Sequence, residues 1–323
     1  SRAARWRSFP QPSGDRMAGD SSYASVVLLL HGDGTNGSTT FTDNAPTPKT
    51  ITRVGTPTIS TGQSKYGGAS MIFNGTSDAL SIAHHTELNL ASGDFTIEAW
   101  VYVTSLATTR TLVQKDQSYG TTFTSYALQI GTNGSLAGSV GTGNGASYSQ
   151  TISSSASAIT TNTWTHVAFT RSGTSLKLFV DGALAASETQ TGTPADGGKA
   201  MLIGRYPAGG GSADAWFAGY IDDLRITKGV ARYTATFTPM SRAYQDGLGE
   251  VEGVVRDDTN ALCSRTVRLI RRDTGALLGS AVSDASTGAY RIATPTLAEV
   301  QRIVLDDSGG TLYNDIIDRV IPS

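Results

Sequence analysis

Four histidines, one cysteine and a scatter of carboxylates are the residues of this chain best able to do acid, base or metal chemistry, and their spacing argues against most of it. His84 and His85 are adjacent, so on a strand they point to opposite faces and do not share one ion. His31 and His166 stand alone, and no His-x-His, His-Glu-x-x-His or paired-cysteine spacing marks a zinc site. Glycoside hydrolysis needs two carboxylates facing each other across a cleft. Glu98 lies in FTIEAWVY with no acidic partner two or four residues further on, and reads as structural. Glu250 and Glu252 do alternate, but on the first strand of a later segment, where charge discourages edge pairing. Neither a Gly-x-Ser-x-Gly elbow nor a phosphate-binding P-loop of the form Gly-x4-Gly-Lys-Ser/Thr occurs. The expectation is a protein that binds rather than an enzyme. Tyr119, Tyr148, Tyr206 and Trp216, at loops or strand ends, are the aromatics available to stack on sugar rings.

The elements that would carry these residues are strands. In DFTIEAWVYV (94–103), Phe95, Ile97, Ala99, Val101 and Val103 fall on one face, and Thr96, Glu98, Trp100 and Tyr102 on the other. TWTHVAFT (163–170) and SLKLFV (175–180) flank RSGT, a connection suited to a hairpin, and Asp181-Gly182 turns into a further strand over 183–188. Segments 70–73, 79–82, 111–114, 126–130, 200–203 and 216–226 add strands, whereas helix signals are nearly absent. Many short strands separated by Gly, Asn, Asp, Ser and Thr predict a two-sheet sandwich. After residues 241–248, a linker, six more strands are expected in 249–323, enough for a second, smaller β-sandwich.

A chain of 323 residues is long enough for two such cores. The net charge of −2 gives no nucleic-acid footprint, and no apolar run approaches the roughly 18 residues of a membrane span. Val26–Leu30 is also too short for a signal-peptide core. One cysteine, Cys263, forbids an internal disulfide and suits assembly in a reducing cytoplasm. Residues 1–24 hold four arginines against two aspartates, with Trp6 and Phe9 among prolines and glycines, a composition that cannot make its own core. An extended N-terminal arm is expected there, docking through Trp6 and Phe9, with Arg2, Arg5 and Arg7 pairing to acidic groups on a partner.

The runs VLLLHGDGTNGSTTFTD, YGGASMIFNG, FTIEAWVY, TWTHVAFTRSGTSLKLFVDG and GYIDDLRITKGVARYTATFTP, in that order across residues 25–240, resemble the laminin G-like, concanavalin A-like jelly-roll family. One departure is Gly32, where relatives often carry a bulky residue. The C-terminal run GVVRDDTNALCSRTVRLIRRDTGALLGSAVSDASTGAYRI, with LYNDIIDRVIP, resembles a small transthyretin-like or carboxypeptidase-regulatory-like sandwich attached to virion proteins of tailed bacteriophages. The ending ITKGVARYTATFTP is similar to phage-encoded jelly rolls as well. The resemblance implies an all-β virion structural protein, a capsid decoration or a tail or fibre component, assembled in the host cytoplasm. Its partners would be other virion proteins, copies of itself and a host surface glycan, with no nucleic acid and no membrane insertion. The alternative is a bacterial or secreted glycan-binding adhesin. The resemblance also implies a structural Ca²⁺ held by Asp33 and by Asp222 or Asp223.

Overall fold

The protein is described from a computed structural model that covers residues 20–90, 93–116, 125–141, 149–190, 197–207, 215–247, 249–255, 261–262, 264–271, 277–294, 300–305 and 315–320. Its contacts divide the chain into two compact units, Ala24–Tyr244 on the one hand and Ser1–Tyr23 with Gln245–Ser323 on the other.

The larger unit is a sandwich of two antiparallel sheets, with strands numbered in chain order. Across the first sheet run β13 (Ala183–Thr189), β12 (Ser175–Val180), β11 (Trp164–Ser172), β6 (Phe95–Val103), β17 (Ala218–Lys228), β4 (Ser70–Asn74) and β3 (Thr58–Ser60), with β1 (Val26–Leu30) also paired to β17. Across the second run β10 (Ser149–Ser153), β9 (Leu136–Gly141), β8 (Tyr126–Ile130), β7 (Arg110–Lys115), β14 (Met201–Ile203), β5 (Ala79–Ile82) and β2 (Thr52–Val54). A two-stranded ribbon, β15 (Arg205–Tyr206) with β16 (Ala215–Trp216), completes the unit.

Period-two alternation builds the core between the sheets. Phe95, Ile97, Ala99, Val101 and Val103 of β6 turn inward and meet Leu112, Tyr126, Leu128, Ile130 and Leu136 of the second sheet, all of them buried. Thr96, Glu98 and Trp100, on the opposite face of β6, are buried as well. The segment 229–244, which follows β17, accounts for this by folding back over that outer face. Tyr233 stacks on Phe237 at 3.5 Å with rings 4° from parallel, and both meet Phe179 of β12 and His166 of β11 edge-on. The amide of Phe237 donates to the Gly182 carbonyl, and the Thr170 hydroxyl donates to the Tyr233 carbonyl.

The smaller unit is a second sandwich. One sheet pairs β18 (Gly249–Val254) with β21 (Ala289–Thr294), and the other runs β20 (Leu277–Val282), β19 (Thr266–Arg271), β22 (Val300–Leu305), β23 (Asp315–Val320). Val255, Tyr290 and Ile292 from the first side and Val267 and Leu269 from the second enclose its core. No helix among the described residues is long and apolar enough to cross a membrane.

Candidate functional site

The outer face of the first sheet carries two neighbouring features, a buried polar cluster and an aromatic row. Both depend on an irregularity in β17. Asp222 lies opposite Trp100 while Arg225 lies opposite Glu98, so one extra residue is inserted between them, and Asp223 takes a φ of +47°. That β-bulge reverses the phase of the strand: Ile221, Leu224 and Ile226 all join the core, while Tyr220, Asp222 and Arg225 belong to the outer side. Without it, regular alternation would drive Asp223 and Arg225 into the apolar interior.

Glu98 is the centre of the cluster and is fully buried. Arg225 donates to its Oε1 from Nε at 2.9 Å and Nη2 at 2.8 Å, and the hydroxyls of Tyr233 and Tyr244 donate to Oε2 at 2.7 and 3.0 Å. His166 Nε2 stands 3.5 Å from the same oxygen and 2.8 Å from the Tyr244 hydroxyl, and the Arg225 guanidinium lies 3.7 Å over the Tyr244 ring. Burial alone would raise the Glu98 pKa, but Arg225, His166 and Arg232 outweigh it and hold the carboxyl well below the usual range. A carboxylate held ionised by so many donors is a strut, and it pins Tyr233 and Tyr244 of the folded-back segment.

Asp33, Asp222 and Asp223 stand near one another, and hydrogen-bond donors reach the latter two. Oδ2 of Asp222 accepts the amides of Lys65 and Tyr66 at 2.7 and 3.1 Å. Asp223 Oδ1 lies 2.5 Å from His31 Nδ1, and its Oδ2 accepts the Tyr244 amide at 3.0 Å. Burial raises the Asp222 pKa, the two amides oppose it, and the Asp223 and Asp33 charges add to it, leaving the group at about 7. Burial also raises Asp33, against the His31 charge. A calcium ion needs oxygen lone pairs turned toward one centre. N–H donors occupy Asp222 Oδ2 and both oxygens of Asp223, and among the described residues no three His, Cys, Asp or Glu side chains are grouped to hold a metal. With those oxygens held by backbone amides and His31, the Ca²⁺ expected at Asp33, Asp222 and Asp223 would have to draw on Asp33 and on Asp222 Oδ1. Gly32, the departure from the resemblance, has φ +78°, and a Cβ there would come within 3.1–3.3 Å of Ser70 and Met71, so a bulky side chain would press on β4.

Beyond the cluster the sheet face is open. Trp164 of β11, Tyr102 of β6 and Tyr220 of β17 lie directly opposite one another across three adjacent strands, and all three are half-buried. Ring centroids are 5.6 Å apart from Trp164 to Tyr102 and 5.8 Å from Tyr102 to Tyr220, with planes tilted by 57° and 80°. The row forms a cradle rather than a flat plate. Gly219 sets its edge: with φ +133° it brings β17 so near β6 that a Cβ would sit 2.0 Å from the Tyr102 carbonyl oxygen. Trp100, edge-on to His166 at 5.3 Å and to Tyr66 at 6.0 Å, adjoins the row, and Lys65 Nζ lies 3.8 Å over its ring.

Tyr206 and Trp216 sit on the β15–β16 ribbon, where Arg205 covers the Trp216 ring at 4.6 Å. Tyr119, Tyr148, Cys263 and the docking residues Arg2, Arg5, Trp6, Arg7 and Phe9 lie outside the described residues. His85 caps a short 3₁₀ turn by accepting the Glu87 amide at 3.2 Å. Sequence reasoning placed Tyr102 and Trp164 on strands without seeing the row. A signal was present in the alternation, which assigns Tyr102 and Trp100 to the face opposite the core.

Residues 74–232 match the family described as the concanavalin A-like lectin/glucanases superfamily. Among solved structures the chain is similar to botulinum neurotoxin type C, from work on its interaction with two ganglioside molecules, at 13% identity and a TM-score of 0.48 over 92% of this chain and 71% of that one. It is similar to the Ruminococcus gnavus sialidase carbohydrate-binding module bound to sialyllactose, at 18% identity and 0.37 over 45% and 80%. Domain 4 of an extracellular arabinanase from Geobacillus stearothermophilus, bound to arabinotriose, is similar at 20% identity and 0.43 over 64% and 94%. No curated protein matches the chain.

Proposed function

We propose that the protein is a non-enzymatic, glycan-binding structural protein carried on a bacteriophage particle, with its sugar site on the Trp164–Tyr102–Tyr220 row. The row is the observation that carries the reading. Half-exposed aromatic rings on a rigid sheet offer apolar faces to the C–H side of a sugar at little entropic cost, while polar neighbours bond its hydroxyls. Rings tilted by 57° and 80° cannot lie against a flat crystalline polymer, so the ligand is a soluble chain or a terminal sugar entering the cradle. The match of residues 74–232 to a superfamily of lectins and glucanases supports a carbohydrate ligand. A binding role is favoured over hydrolysis because Glu98, the carboxylate of β6, is fully buried with both oxygens taken by Arg225, Tyr233 and Tyr244. The virion setting rests on the sequence resemblance of ITKGVARYTATFTP and of the C-terminal sandwich to phage-encoded proteins.

A glycan array probed with the purified chain tests the site. Binding to a defined set of glycans, lost in Trp164→Ala and Tyr220→Ala while the melting transition persists, is the expected result. Retention of binding in both variants moves the site elsewhere, and turnover of a bound glycan would refute the non-enzymatic reading.

A further inference from the structure

Groups beside the aromatic row are short of acceptors. Lys65 Nζ lies 3.8 Å from the Trp100 ring centroid and 5.7 Å from that of Tyr66, and no carboxylate among the described residues pairs with it. The indole N–H of Trp100, which is 6% exposed, and that of Trp164 are both buried, and neither finds an acceptor among the described residues. Buried donors are almost always satisfied, so two on adjoining strands call for an explanation. Trp164 lies opposite Tyr102 and His166 lies opposite Trp100, which makes the two indoles diagonal neighbours on one face.

Three of the acidic groups nearby are committed elsewhere. Asp222 accepts the amides of Lys65 and Tyr66, Asp223 takes His31 and the Tyr244 amide, and Glu98 takes Arg225 and two tyrosine hydroxyls. The face beside the row therefore presents, in Lys65, an ammonium with no anion among the described residues to meet it.

We infer that the sugar bound on the Trp164–Tyr102–Tyr220 row carries a carboxylate, as a uronic or nonulosonic acid does, and that Lys65 is its ion-pair partner and the residue that sets this specificity. This inference rests on the glycan reading above and names the class of sugar. A carboxylate is acceptor-only and its bonds to an ammonium are roughly twice as strong as neutral ones. A neutral sugar can meet the ammonium only through hydroxyl oxygens, which carry no charge to balance it.

The test uses the full chain and trisaccharides ending in a uronic or a nonulosonic acid, each measured beside its methyl ester, which keeps the shape and removes the charge. The acid is expected to bind about tenfold or more tightly than its ester. Lys65→Met should bring the acid down to the ester's affinity and leave the ester unchanged. Equal binding of acid and ester, lost in Trp164→Ala, overturns the inference and leaves the glycan reading standing. A preference for the acid that survives Lys65→Met overturns the role of Lys65. Binding to no glycan, acidic or neutral, overturns both readings.

Discussion

Glu98 shows how one residue's surroundings decide its chemistry. Two arginine nitrogens and two phenol hydroxyls converge on its oxygens, and its burial is complete. Such a group has little net value against an apolar isostere, but removing one partner strands the other charge in the interior. Glu98→Gln should leave Arg225 uncompensated and cost about 3–5 kcal/mol of stability in a denaturant titration. A loss below about 1 kcal/mol would mean that the guanidinium has another acceptor within reach. The sequence already marked Glu98 as structural, since no acidic residue follows it two or four positions on. Its partners were not legible, because Tyr233 and Tyr244 are more than 130 residues away in the chain and meet it only after the segment 229–244 folds back.

At the scale of the element, β17 is the strand on which the site turns. Its bulge lets Tyr220, Asp222 and Arg225 share the outer face, and it holds Asp222 where burial and the Asp223 and Asp33 charges push its pKa up to about 7, against the amides of Lys65 and Tyr66. An acid raised above its usual value binds its proton more tightly folded than unfolded, so its contribution is full below about pH 4 and is lost as pH rises toward 7. Wild type should therefore lose stability relative to an Asp222→Asn variant between about pH 4 and 7, read as the difference in melting temperature. Parallel pH profiles for the two proteins would exclude Asp222 as the titrating group. Residues 216–226 read as one continuous strand from composition, whereas two strands form, Ala215–Trp216 and Ala218–Lys228. The bulge left a trace in the sequence: apolar spacing is three from Ile221 to Leu224 and two from Leu224 to Ile226.

At the scale of the molecule, the proposed function puts binding on the jelly roll and attachment on the remaining segments. Residues 1–19 contain Trp6 and Phe9 with few other apolar groups, and ordering each backbone residue costs about 1–2 kcal/mol, so docking needs a partner surface. If the proposed virion setting holds, deleting residues 1–20 should leave the melting transitions of both units in place and abolish or strongly weaken incorporation into the particle. Normal occupancy by the truncated chain would assign attachment to the C-terminal sandwich instead. The sequence by itself determined the all-β character, most strand positions and the inward face of β6, because period-two alternation and turn chemistry act over a few residues and are written locally. Only the tertiary structure decided which strands adjoin, and with that the alignment of Trp164, Tyr102 and Tyr220, which lie far apart in the chain. It also decided which donors meet the aspartates of the bulge, since the direction of a lone pair depends on groups brought in from β1's end, the 65–66 turn and Tyr244.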